Sequence, residues 1–226
     1  MRDGDFARYL RSLTASWRGL AARKAGASVV VGSGYVVARF PDPYVYLNNA
    51  VILVPDVVAT AADMFSDHGP HALWCLEDAP DVAAVIAAHG YAHTETTRPM
   101  LRRLDELPPA DKQVIASADL DRFAELIEVP PVLLRDVPGL LAYATAGYES
   151  GLVLQYDDYD VYVSMVYTKP EFRGHGLATA VLTAALTDAR CRGACTATLQ
   201  STPMADGMYL RHGFTPLGRW LEWTRQ

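Results

Sequence analysis

Residues 167–178 read Tyr-Thr-Lys-Pro-Glu-Phe-Arg-Gly-His-Gly-Leu-Ala; the β-branched run Val161 to Val166 precedes them and a long apolar-periodic segment follows. A strand that passes through a glycine-bearing turn directly into a helix makes an anion cradle. The backbone N–H groups of Gly174, His175, Gly176, Leu177 and Ala178 have no intrahelical partner there, and the helix dipole adds partial positive charge at the same place. Gly174 and Gly176 permit a tight turn and let phosphate oxygens approach the backbone, while Ala178 keeps the next position uncrowded. Arg173 and His175 add side-chain charge. A diphosphate suits this arrangement.

Working outward, strands are predicted at Leu140–Thr145, Glu149–Tyr156 and Val161–Tyr167, with Asp157-Asp-Tyr-Asp160 as the turn between the last two. A helix follows over Gly176–Arg190, then a strand at Thr196–Gln200, a helix at Pro203–His212 and a final strand over Thr215–Thr224. Before these, Lys112–Ala116 reads as a strand and Asp119–Glu128 as a helix with Asp119 as its N-cap. Toward the N-terminus the periodicity predicts an amphipathic helix carrying Phe6, Leu10, Leu13, Trp17 and Leu20. Strands at Ser28–Phe40 and Tyr44–Val54, joined by Pro41-Asp-Pro43, come next. A helix over 56–67, a strand at 73–77, a helix at 80–89 and a strand at 92–104 complete the first half.

The polar, proline-bearing stretch Asp105-Glu-Leu-Pro-Pro-Ala-Asp111 is the candidate linker. The two halves end alike. Helix, His68-Gly69, strand, helix, His89-Gly90-Tyr91, strand in the first is echoed by helix, Arg192-Gly193, strand, helix, His212-Gly213-Phe214, strand in the second. The paired glycines stand 21 and 20 residues apart, which points to a duplicated unit.

Composition narrows the class. Half of the 226 residues are apolar and 20% are charged, so the chain is globular rather than disordered. Twenty Lys and Arg against 26 Asp and Glu give a net charge of −6, which repels a nucleic-acid backbone. The longest apolar stretch, Ala50 to Phe65, is broken by Pro55, Asp56 and Asp63 and is shorter than the roughly 20 residues of a membrane span. Asp3 and Asp5 before Phe6 argue against a signal peptide, and a cytoplasmic protein is expected. Cys75, Cys191 and Cys195 suit reduced thiols, and Cys191-Arg-Gly-Ala-Cys195 lacks the second ligand pair of a zinc site, so no metal is expected. Val29-Val-Val-Gly-Ser-Gly34 does not continue as a dinucleotide fingerprint, because Val37 takes the third glycine slot.

With these residues in view, the chain resembles the GNAT superfamily of N-acetyltransferases, whose phosphate loop follows Arg/Gln-x-x-Gly-x-Gly/Ala. Arg173, Gly176 and Ala178 fill it without a gap. Pro170-Glu171, Leu199-Gln-Ser-Thr-Pro-Met204 and Tyr209-Leu-Arg-His-Gly-Phe214 are also similar to the family. The resemblance covers 112–226. For 1–104 it rests on the internal echo alone, and no Arg-Gly-x-Gly equivalent follows Val54.

The resemblance implies an α/β (α+β) GNAT fold, a mixed central sheet flanked by helices, in two tandem units. Residues 1–104 would be a degenerate N-terminal unit, 105–111 the linker and 112–226 the catalytic unit, with acetyl-CoA as co-substrate. It implies that strands 161–167 and 196–200 splay apart. The pantetheine arm would then bond to the free edge at Val166, Tyr167 and Thr168. The implied reaction is transfer of acetyl to a primary amine by direct attack through a tetrahedral intermediate. A backbone N–H around Ser164 to Val166 would hold the oxyanion and Tyr209 would protonate the departing thiolate. Asp160, where some relatives carry a carboxylate, is the candidate base, with a water relay as its substitute. The acceptor would be a small amine, an aminoglycoside-like molecule or a peptide amine, and the acidic balance suits a cation. An oligomer is compatible with this reading. The rival is an acyl-CoA-binding sensor or pseudoenzyme that keeps the cradle without turnover.

Overall fold

The computed structural model describes residues 2–22, 24–109 and 114–225. The chain opens with α1 (Arg2–Ala21), in which Tyr9, Leu13 and Trp17 recur every fourth residue and are buried. Next come β1 (Ser28–Gly32) and β2 (Tyr35–Arg39), a hairpin in which Gly32 faces Tyr35. The single strand expected over 28–40 is thus two. Gly34, at φ +85°, makes the reversal that a side-chain-bearing residue resists.

The strand expected from Tyr44 also starts late. Residues 41–48 form a loop, closed by the Asn48 side chain, which accepts from Phe40 N and donates to the carbonyls of Asp42 and Tyr44. That side chain supplies the partners a ladder would otherwise provide. β3 (Asn49–Ile52), α2 (Val58–Asp63), β4 (Ala72–Leu76), α3 (Pro80–Ala88) and β5 (Ala92–Arg103) follow. Pro55 turns the start of the expected helix into a single 3₁₀ turn.

The expected linker runs on to Asp111 and the strand after it begins at Lys112; residues 110–113 lie outside the described residues. Past them come β6 (Val114–Ala116), α4 (Leu120–Leu126), β7 (Leu140–Thr145), β8 (Ser150–Asp157) and β9 (Asp160–Thr168). Asp119 caps α4 as expected, accepting from the backbone N–H groups of Asp121 and Arg122. Then come α5 (Leu177–Cys191), β10 (Thr196–Ser201), α6 (Asp206–Arg211), β11 (Thr215–Pro216) and β12 (Trp220–Thr224). The last expected strand is interrupted at 217–219, where Gly218 sits at φ +150°.

The strands form one mixed sheet in the order β1-β2-β3-β4-β12-β5-β10-β9-β8-β7-β6, with β11 on β5. Each half supplies antiparallel strands and one parallel pair, β3 with β4 and β9 with β10. The two halves exchange their last strands. β5 lies antiparallel against β10, and β12 inserts antiparallel between β4 and β5. The ladder is therefore continuous across the middle of the sheet only because each half's terminal strand pairs with the other half. Trp220, fully buried on β12, packs in one cluster with Tyr9 and Trp17 of α1, Phe40, Trp74 and Tyr162. On the opposite face α5 buries Val181, Leu182, Ala185 and Leu186 against Leu152, Leu154, Val163 and Leu199. Each of these Val and Leu side chains contributes roughly 1.5–3 kcal/mol by leaving water. No helix among the described residues is long and apolar enough to cross a membrane.

Candidate active site

β9 and β10 pair only from Asp160↔Thr196 to Val163↔Leu199. Beyond Val163 they separate, so residues 164–168 keep an unpaired edge toward β10. On its other edge β9 pairs with β8, and the register slips between Val153↔Ser164 and Gly151↔Tyr167, so β9 carries one extra residue. Met165 lies within this bulge at φ +52°. A bulge leaves its extra residue out of the ladder and re-aims the local N–H groups, here at the point where the strands divide.

The turn after β9 is built as an anion site. Gly174 and Gly176 lie at φ +79° and +77°, and a Cβ built on either meets nothing within 4 Å. Gly176 is the N-cap of α5, and no side chain caps that helix. The first helical bond runs from Ala180 N to Gly176 O, so the amides before it remain available. Arg173 donates from Nε to the carbonyl of Thr168 at 3.1 Å, pinning the turn to the end of β9. These free amides and the open space above them fit the diphosphate of a coenzyme A thioester.

A cavity of about 610 Å³ starts at this turn and runs between the splayed strands. Val166, Tyr167, Thr168, Arg173, Gly174, Gly176, Leu177 and Ala178 all line it, as does Tyr209 from α6. Eight of the nine residues expected to hold the cofactor are thus together. The ninth, His175, is exposed and outside the lining. Tyr209 is buried edge-on against Phe214, their ring centroids 5.7 Å apart. Burial holds its hydroxyl pKa well above the usual phenol range, so the group stays protonated at neutral pH, as an acid must.

Asp160 is not part of this site. It begins β9, four residues or roughly 13 Å before Ser164 at strand rise. Its carboxylate is committed to Arg8, 3.3 Å away, and to the Thr196 hydroxyl. The Glu149 carboxylate accepts from the Thr145 hydroxyl, which lowers its pKa.

The carboxylate that the structure does bring near is Glu222 of β12. Its Oε1 accepts from the Thr97 hydroxyl at 2.7 Å and from Gln200 Nε2 at 2.8 Å. Gln200 in turn accepts from the Tyr9 hydroxyl, and Tyr9 from the Trp220 indole N–H. Burial pushes the Glu222 carboxyl above the usual carboxylate range, with Glu95 adding to the rise and the two hydrogen bonds opposing it. Glu222 lines a second cavity of about 460 Å³ beneath α1. The two cavities share Ser164, Met165, Gln200 and Thr202, so they meet where β9 and β10 part. Sequence reading passes over Glu222, although a signal for it exists: in Trp220-Leu-Glu-Trp-Thr224 the strand alternation puts Glu222 on the same face as the buried Trp220.

Residues 140–216 match the family model described as an acetyltransferase (GNAT) domain. The fold of the chain as a whole is the one seen in GNAT structures. A GCN5-related N-acetyltransferase from Kribbella flavida superposes with a TM-score of 0.70 at 18% identity, over 94% of each chain. One from Sphaerobacter thermophilus gives 0.64 at 15% identity, over 96% of this chain and 91% of that one. A tandem GNAT protein from the clavulanic acid biosynthesis pathway gives 0.56 at 15% identity, over 93% of this chain and 86% of that one. No curated protein sequence matches the chain.

Proposed function

We propose that the protein transfers an acetyl group from acetyl-CoA to a primary amine by direct attack. The observation that carries this reading is the meeting of the two cavities at Ser164, Met165, Gln200 and Thr202. A donor laid along β9 from the 173–178 turn and an acceptor entering beneath α1 would touch only there. The amine lone pair attacks the acetyl carbon, the C–N bond forms, and a backbone N–H of the Met165 bulge holds the oxyanion. The C–S bond then breaks, and Tyr209 gives the thiolate its proton. The ammonium loses two protons in all: one, passed through solvent, restores the Tyr209 hydroxyl and the other remains in solvent, so acetyl amide, free thiol and one proton are the products.

In this reading residues 112–226 form the catalytic unit and 1–104 a degenerate copy that shapes the acceptor side. The matching parallel pairs and the exchanged terminal strands support it. So does the turn after β3, where Val54-Pro-Asp-Val57 carries no glycine. The test is free thiol released from acetyl-CoA across a panel of amines. Amine-dependent release is expected. Thermal stabilisation by acetyl-CoA without release from any amine would instead favour the sensor.

A further inference from the structure

We infer that the acceptor is a primary amine on a flat, apolar body the size of an aromatic ring, with its ammonium seated on Glu222. This deepens the acyl-transfer reading and rests on it. Five aromatic side chains, Trp17, Phe40, Tyr46, Trp74 and Tyr162, line the acceptor-side cavity. Trp17 and Trp74 are fixed edge to face, with centroids 5.6 Å apart, and both are buried, so these walls are preformed.

The charge in the cavity is of one sign. Glu222 and Glu95 line it, and no Lys, Arg or His does so among the described residues. The two are cross-strand partners on β12 and β5; Glu95 is exposed, whereas Glu222 is half-buried and hydrogen-bonded to Gln200, one of the residues shared with the donor cavity. Glu222 Oε1 takes both protein hydrogen bonds, and Oε2 has no protein partner among the described residues. That leaves Oε2 open to the cavity, and an ammonium on it sits at the junction with its nitrogen toward the thioester. The same oxygen can then take the proton that frees the lone pair.

The walls choose among cationic acceptors. An aminoglycoside brings several ammonium groups against a lining with two carboxylates, and its other polar groups would meet aromatic carbon over much of the wall, at a cost for each one left unpaired. A lysine side chain supplies one ammonium but only a butyl stem to fill the space. A ring on a short amine tether presents one ammonium and gains ring contacts with these walls.

Two measurements on the intact protein test this, each with 2-phenylethylamine, ethylamine, kanamycin and the uncharged 2-phenylethanol. The first is quenching of tryptophan fluorescence without acetyl-CoA. The second is thiol release with it. 2-Phenylethylamine is expected to bind at least ~10-fold more tightly than ethylamine and 2-phenylethanol, and to give the highest kcat/KM. Glu222→Gln should erase the preference of amine over alcohol while ring binding persists. Equal binding of 2-phenylethylamine and 2-phenylethanol to the unaltered protein would overturn the role of Glu222 even if the variant fails to fold. Faster transfer to kanamycin or ethylamine than to 2-phenylethylamine would overturn the acceptor class and leave acyl transfer standing. Tight amine binding with no thiol released from any amine would overturn acyl transfer and uphold the ammonium site.

Discussion

The side-chain amide of Gln200 donates to Glu222 Oε1 at 2.8 Å, joining the strand that borders the donor cavity to one that arrives from the far end of the chain. Neither residue type is at home there by burial alone. A carboxylate held beneath aromatic side chains raises the free energy of the fold, and such groups concentrate where chemistry is done.

Replacing Glu222 by Gln keeps the hydrogen-bond acceptor and removes the charge. kcat/KM for amines should fall by about 10²-fold or more, the usual loss for a positioned base. Stability should move the other way. Because the folded-state pKa is raised, the native state is favoured below the ordinary carboxyl pKa and loses that advantage as pH rises through the folded value. Melting temperatures of the two proteins should therefore nearly coincide at acid pH, with the variant ahead at pH 8. A variant that melts lower at pH 8 than at acid pH, relative to the parent, refutes this.

Tyr209→Phe removes one hydroxyl and keeps the ring that packs on Phe214. Acetyl-CoA affinity and melting temperature should stay nearly constant, while kcat falls roughly 10²-fold. An unchanged kcat takes Tyr209 out of the reaction.

Gly176 is a position where strain and charge can be separated. At φ +77° any side chain is disfavoured, but Asn and Asp tolerate the left-handed region best. Gly176→Asp should abolish stabilisation by acetyl-CoA, whereas Gly176→Asn should retain part of it. If both variants bind alike, the diphosphate is held elsewhere.

Asp160→Asn breaks the contact with Arg8, a half-buried pair worth about 0.5–1 kcal/mol. Activity should remain within about threefold of the parent in a kcat/KM comparison. A loss of 10²-fold would restore Asp160 as a catalytic group.

Trp220→Ala empties a fully buried site between the halves and should cost about 3–5 kcal/mol. Since β5 and β12 cross between the halves, unfolding in urea should stay a single transition. Two separated transitions would show that the exchanged strands do not couple them.

The phosphate turn is legible in the sequence because its requirements are local. Two glycines at positive φ, an uncapped helix and Arg173 at the strand end all fall within a few residues of one another. The elements of the second half are legible for the same reason, since strand alternation and the Asp119 cap act over short distances. The hairpin at Ser33-Gly34 is marked locally by Gly32-Ser-Gly34, and is hidden only because the Val-rich runs on either side of that triplet share one β-branched composition and read as a single strand. The exchange of β5 with β12 is hidden more deeply. Nothing in either strand's periodicity says which edge it will complete, so Thr97, Gln200 and Glu222 meet only once the chain has closed. That Asp160 faces Arg8 rather than either cavity is hidden too, because position in a strand does not report the partner, here one from the first helix.

The most direct test is a crystal structure of the protein with acetyl-CoA. The pyrophosphate should lie on the amides of 174–178, the pantetheine arm along the free edge of β9, and the thioester carbonyl at the Met165 bulge with its carbon open to the cavity that holds Glu222. A pyrophosphate bound away from that turn, or a thioester pointing out of the junction of the two cavities, would contradict the assignment.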